Sequence, residues 1–167
     1  MRESLEALEP VSVYALLRLA HSYWRWPVLA SALVVLVRVV TGAHTRRAWT
    51  RDDDRAVRLL LSAVDLQLAI GMTLYFGFSP FFPALYQSFH ESMSSPVARF
   101  FGIEHQTAML LAMIAAHVGH SRARRAVDDV AKHRAMRAAM VIFFALTLWA
   151  IPWPWRIFGR PLFRTTL

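Results

Sequence analysis

The chain has 167 residues, 56% of them hydrophobic, and a formal charge of +8. A soluble domain of this length is about 45–50% apolar; here the apolar residues form long blocks and the charges gather in two loops and the tails, the pattern of a membrane chain of one compact bundle. There is no cysteine, which excludes disulfides, thiolate metal sites, cysteine-ligated clusters and covalent c-type haem attachment.

The first segment, Met1–Pro10, carries Glu3, Glu6 and Glu9 rather than the basic start, apolar core and small-residue cleavage site of a secretory signal. The first span is therefore expected to be retained. Four apolar blocks follow, at about 16–40, 57–78, 97–119 and 136–153. About 20 apolar residues cross a hydrocarbon core of roughly 30 Å. The blocks predict an all-α integral membrane four-helix bundle, a single transmembrane domain over residues 1–167. The fourth block is the shortest in apolar run, and Trp149, Trp153 and Trp155 mark its interface with the headgroups. Between the second and third blocks, Pro80, Pro83 and Pro96 punctuate the chain, while Leu85, Phe89 and Met93 recur every four residues. That spacing predicts a short amphipathic helix in this loop.

The loops orient the bundle. Arg46, Arg47, Arg51 and Arg55 lie between the first two spans, and Arg122, Arg124, Arg125, Lys132 and Arg134 between the last two. The loop over residues 79–96 has no Lys or Arg. The positive-inside rule places both basic loops in the cytoplasm and both termini outside, in a bacterial inner membrane. Basic residues beside apolar spans point to anionic lipid headgroups, not to nucleic acid.

Ionisable residues inside spans are costly and are the first candidates for chemistry. His21 lies five residues into the first span and His105 eight residues into the third, counted from the same side. A difference of three residues is about 4.5 Å along a helix. Two histidines at similar depth on different helices can clamp a haem iron from opposite faces, a ligation that needs no cysteine. Arg18 and Arg25 share the helix face of His21 and can pair with haem propionates. Met109 follows His105 at i+4 and would line the same pocket. His117 and His120 sit at the inner end of the third span; with His44 they offer a minor zinc or copper alternative. His90 and His133 read as solvated loop residues, and His44 as lying in the loop past Gly42. Asp65 and Gln67 interrupt the second span. A carboxylate there is expected to face the bundle interior and to relay protons, hydrogen-bond a quinone, or join two helices. Glu104 can play a similar part near the outer surface.

Short motifs also resemble a known family. His21-Ser22-Tyr23-Trp24-Arg25-Trp26 resembles the opening of small four-span bacterial cytochrome b-like membrane proteins. The stretch from Leu66 to Tyr75, Glu104-His105, Gly119-His120-Ser121 and Ile151-Pro152-Trp153-Pro154 are similar to their second, third and fourth helices. Together the matches touch all four spans. The resemblance implies the four-span architecture and a cytochrome b-like role.

The expectation is a membrane-embedded electron-transfer protein or redox-complex subunit. It would hold one haem b between His21 and His105, with other membrane subunits and a quinone as partners. The rival is a cofactor-free accessory subunit of a larger respiratory or photosynthetic complex. A small transporter using Asp65 and Glu104 is disfavoured by the lack of repeats and broken helices.

Overall fold

The computed structural model describes residues 12–163; the acidic segment Met1–Pro10 lies outside them. Among the described residues all regular structure is helical. The first helix, α1, spans Val13–Thr45, and the second, α2, spans Arg51–Phe78. Three short helices follow: α3 (Phe81–Gln87), α4 (Phe89–Ser94) and α5 (Pro96–Arg99). A π-helical turn, Phe100–Glu104, leads into α6 (His105–Arg125), and α7 spans Asp129–Ala150.

The helices begin where capping residues stand, not where apolar blocks begin. Ser12 starts α1 by accepting from the Ala15 N–H at 3.1 Å. Thr50 and Asp53 form a reciprocal capping box that starts α2 six residues ahead of its apolar block. Asp128 accepts from the Ala131 N–H at 2.7 Å and starts α7 seven residues early, on a charged stretch. At the other end of α1, Arg46 closes the helix in the left-handed conformation, φ 54°. His44 therefore sits in the last turn of α1, not in the loop.

The amphipathic helix expected around Leu85, Phe89 and Met93 is not continuous. Ser88 adopts φ −151°, ψ 84°, and separates α3 from α4. The backbone break turns Phe89 outward, 61% exposed, while Leu85 packs on Gly102.

Four long helices form the bundle. Around it, α1 packs against α2 and α7, α6 packs against α7, and α2 meets α6. This order sets α1 and α6 on a diagonal. The closest pair is α6 and α7, because α6 presents the small buried residues Ala108, Ala112, Ala116, Gly119 and Ala123 along one stripe. A Cβ at Gly119 would collide with Ala139. Gly119→Leu is accordingly expected to destabilise the bundle by about 1–3 kcal/mol, the usual effect of overpacking. Thermal melting followed by circular dichroism in detergent reads this; an unchanged midpoint would refute the close α6–α7 seam.

The buried core is one-sided along the bundle. It is built from Val28–Val39 on α1, Val57–Val64 on α2, Ala112–Ala123 on α6 and Met136–Phe143 on α7. These segments adjoin the two basic loops. Burial also reaches the α1–α2 loop itself. His133, expected in solvent, is 0% exposed. Its ring centre lies 4.9 Å from that of Trp49, the planes tilted by 49°, and it rests against Gly42, where any Cβ would collide with the imidazole. Burial, with Arg47 nearby, pushes the His133 pKa below the ordinary histidine value.

The outward faces are apolar. α1 and α2 are long and apolar enough to cross a membrane, and only 28% and 17% of their most apolar windows is buried inside the chain. Leu33, Val37, Leu59, Leu110, Ile114 and Val141 are each exposed. An apolar exterior of this extent marks an interaction or membrane surface.

Candidate functional site

Beyond the core, toward the end of the bundle away from the basic loops, the helices line a half-open cavity of about 280 Å³. Its floor is the top of the core: Val28, Val64, Ala112 and Phe143. Its walls carry His21 on α1, Gln67 and Gly71 on α2, His105 and Met109 on α6, and Thr147 on α7. Arg18, Arg25 and Arg160 also line it.

The two histidines face each other across the diagonal. Their ring centres are 6.3 Å apart and their planes are inclined at 71°. The His105 ring is fixed by its Nδ1, 2.8 Å from the Ala150 carbonyl oxygen. In that tautomer Nδ1–H donates to α7 and leaves Nε2 as a lone-pair donor. The π-helical turn immediately before it reaches the same end: the His105 N–H donates to the Phe100 carbonyl, five residues back. Such turns shift the register of the following side chains and recur at functional sites.

His21 is held less tightly. Gln67 Nε2 donates to the His21 carbonyl oxygen at 3.0 Å and lies 3.5 Å from His21 Nε2. The imidazole leans on Gly71, where a Cβ would meet Cε1 at 2.9 Å. Gly71 thus makes room for the ring. His21 Nδ1, Gln67 Oε1, Gln106 Oε1 and Thr147 Oγ1 are buried without a hydrogen-bond partner. Each such atom costs about 1–3 kcal/mol, so their convergence around one cavity is informative.

The segment after α7 covers this end. Arg25 donates to the Leu162 carbonyl oxygen. Phe163 stacks on Trp26, ring centres 5.2 Å apart. Phe158 stacks on Phe100 at 3.7 Å, and the Arg156 guanidinium lies 4.4 Å from the centre of the Phe158 ring. This tail carries Arg160 and Pro161 to the cavity.

The residues singled out from sequence are therefore divided. His21, His105, Arg18, Arg25, Met109 and Gln67 line the cavity. Asp65 and Glu104 do not. Two residues along a helix is a rotation of about 200°, so Asp65 and Gln67 take opposite faces of α2. Asp65 is half-exposed, not turned to the bundle interior, and pairs with His117 Nε2 at 2.8 Å across the α2–α6 seam. Glu104 accepts from Arg99 Nε at 2.7 Å within the outer segment. Among the described residues no three His, Asp or Glu side chains converge to hold a metal ion, so His44, His117 and His120 do not assemble as a zinc or copper site. Sequence reading missed Gln106, Thr147, Tyr75 and Arg160. Gln106 carried the same signal as Gln67, an amide inside an apolar block. Arg160 carried none, because its tail reaches the cavity only through the fold.

Comparison with protein-family models, with curated proteins and with solved structures returns no match.

Proposed function

We propose that the chain is a four-span protein of the bacterial inner membrane that holds one b-type haem between His21 and His105 and passes electrons, as a small cytochrome or as a subunit of a redox complex. The observation that carries this reading is the 6.3 Å between the two imidazole centres, set across the bundle diagonal. Imidazoles bonded to opposite sides of one metal ion at about 2.0 Å hold their ring centres roughly 6 Å apart. Four-helix bundles build cofactor sites in this way, from side chains on facing helices. The apolar exterior of all four long helices supports the membrane reading, and the two basic loops support a cytoplasmic position for the packed end.

The donor set fits haem. The imidazoles of His21 and His105 would hold the iron, and three arginines line the same cavity, where acidic substituents of a macrocycle would need partners. Haem, when bound, supplies a one-electron redox change. The chain supplies the rest. Ala150 fixes the tautomer and direction of His105. Gly71 leaves room for His21. The apolar core below the cavity keeps water from the inner side.

The test is a reduced-minus-oxidised visible spectrum of detergent-purified protein reconstituted with haem. A b-type band at one haem per chain is expected. Its absence from well-folded protein would sink the haem reading in favour of a cofactor-free accessory subunit, for which Trp155 and Ile157, each more than 70% exposed, would be docking side chains.

A further inference from the structure

We infer that the inner end of the α2–α6 seam is a binding site for one anionic phospholipid, its phosphate held by Arg58, His120, Ser121 and Arg124 and its acyl chains lying along α6. The inference rests on the membrane-spanning part of the reading above and not on haem.

The arginines here are unengaged where others are paired. Arg38 and Arg47 pair with Asp53, Arg55 with Asp52, and Arg99 with Glu104. Among the described residues, Arg58, Arg124 and Arg125 form no ion pair or hydrogen bond. Arg124 and Arg125 line a recess with His117, His120 and Ser121 at the inner end of α6. Arg58 reaches the same place from α2: the charges acting on His120 are those of Arg124, Asp54, Arg58 and His117. His120 Nδ1 is buried there without a hydrogen-bond partner. Both nearby carboxylates are already committed. Asp54 accepts from Trp49 Nε1 at 2.9 Å, and Asp65 Oδ1 lies 2.8 Å from His117 Nε2. Positive charge is left over, and with it the capacity to hold an anion.

The seam is also graded along its length. Leu110, Ile114, His117, Ser121 and Arg124 follow at three- and four-residue spacing and form one stripe of α6. Arg58, Ser62, Asp65, Ala69 and Met72 form the matching stripe of α2. The Asp65–His117 contact sets the two side by side. Arg58 and Arg124 both lie seven residues to the cytoplasmic side of it, roughly 10 Å along the axes. On the other side the stripes turn apolar, and Leu110 and Ile114 are exposed.

This gradient chooses the occupant. A soluble phosphate would fill the cationic end and leave the apolar half uncovered. A zwitterionic phospholipid would bring an ammonium group into a recess that is already cationic. An anionic phospholipid carries its phosphate and its acyl chains in the order of the stripes. Guanidinium groups and a serine hydroxyl donate to phosphate oxygens, and basic pockets between spans on the cytoplasmic side take such headgroups. The Asp65 carboxylate, held by His117, stays nearer the membrane centre than the phosphate.

The full chain, purified without haem in a neutral detergent, is titrated with phosphatidylglycerol or with phosphatidylethanolamine of the same acyl chains, and bound lipid is counted by native mass spectrometry. Phosphatidylglycerol is expected to bind roughly tenfold more tightly. R58Q/R124Q should abolish the preference, and Ser121→Asp should do so by repulsion with both arginines in place. R122Q/R134Q removes as much charge from the same end of the bundle and should leave the preference intact. A preference unchanged in both R58Q/R124Q and Ser121→Asp, or lost equally in R122Q/R134Q, would overturn the site and leave a general attraction between a basic surface and anionic lipid. Displacement of the lipid by an equal concentration of inorganic phosphate would overturn the lipid as occupant in favour of a soluble anion. Membrane insertion is read separately, by resistance of the chain in liposomes to alkaline carbonate. An inserted chain without lipid preference removes this site alone, and a chain that washes off removes the membrane reading as well.

Discussion

Asp53→Ala is expected to be among the most damaging single substitutions in the chain, lowering stability by about 2–3 kcal/mol, because it removes several charge-assisted hydrogen bonds while Arg38 and Arg47, each one-third exposed, remain in reach of water. Asp53 is 1% exposed. Its Oδ1 accepts from Arg38 Nε at 2.8 Å and from a terminal nitrogen of Arg47 at 2.7 Å, while Oδ2 accepts from the other Arg47 nitrogen and from Thr50. One carboxylate thus joins the end of α1, the α1–α2 loop and the first turn of α2. Burial raises its pKa, but the hydrogen bonds from Arg47, Thr50 and Arg38 outweigh burial and hold it well below the usual carboxylate range. The sign for stability follows. A carboxyl with a depressed folded-state pKa contributes stability in full above its unfolded value of about 3.9, and that contribution fades as the pH falls toward the folded value. Wild type should therefore lose thermal stability below about pH 4, and Asp53→Ala should lose less over the same window. Melting curves at pH 7 and pH 3 check both statements; equal slopes in the two proteins would refute the coupling.

Loss of the b-type spectrum in His105→Ala is the second large effect, with Tm in the absence of added haem expected to change far less. The His105 ring lines the cavity and contributes one hydrogen bond, to the Ala150 carbonyl oxygen. Removing it opens a cavity and frees that carbonyl, an expected cost of about 1–3 kcal/mol. His21→Ala should abolish or shift the same band, and Gly71→Val should mimic it by displacing the His21 ring. Added imidazole should restore a band in His105→Ala, because the ligand rather than the fold is missing. Unperturbed spectra in both alanine variants would refute the ligand assignment.

Much of this arrangement is legible in the sequence, and the parts that are not have identifiable causes. The four long helices follow from apolar runs, and the His21–His105 juxtaposition from similar depth on two helices. Helix starts do not, because Thr50, Asp53 and Asp128 begin α2 and α7 by capping backbone amides well outside the apolar runs. His133 was unreadable for a different reason. Its burial depends on Gly42 and Trp49, more than eighty residues earlier, and no local pattern announces a glycine that makes room for a distant ring. Asp65 shows the opposite case. Its separation from Gln67 by two residues already contains the 200° rotation that sends one amide to the cavity and one carboxylate outward. The expectation that it faced the interior rested on cost alone, without regard to helical phase.

The twelve-residue step from His105 to His117 on α6 has an electrical meaning. It separates the two levels by about 18 Å along the helix, more than half of a hydrocarbon core of roughly 30 Å. In the proposed arrangement, an electron that reached a haem at the level of His105 from the level of His117 would cross that share of the membrane field, worth about 1.4 kcal/mol for every 100 mV. With the cytoplasm negative the field drives the electron outward. A bundle that is solid at one end and hollow at the other would therefore make reduction of such a haem from the cytoplasmic side voltage-sensitive, faster in energised vesicles than in collapsed ones.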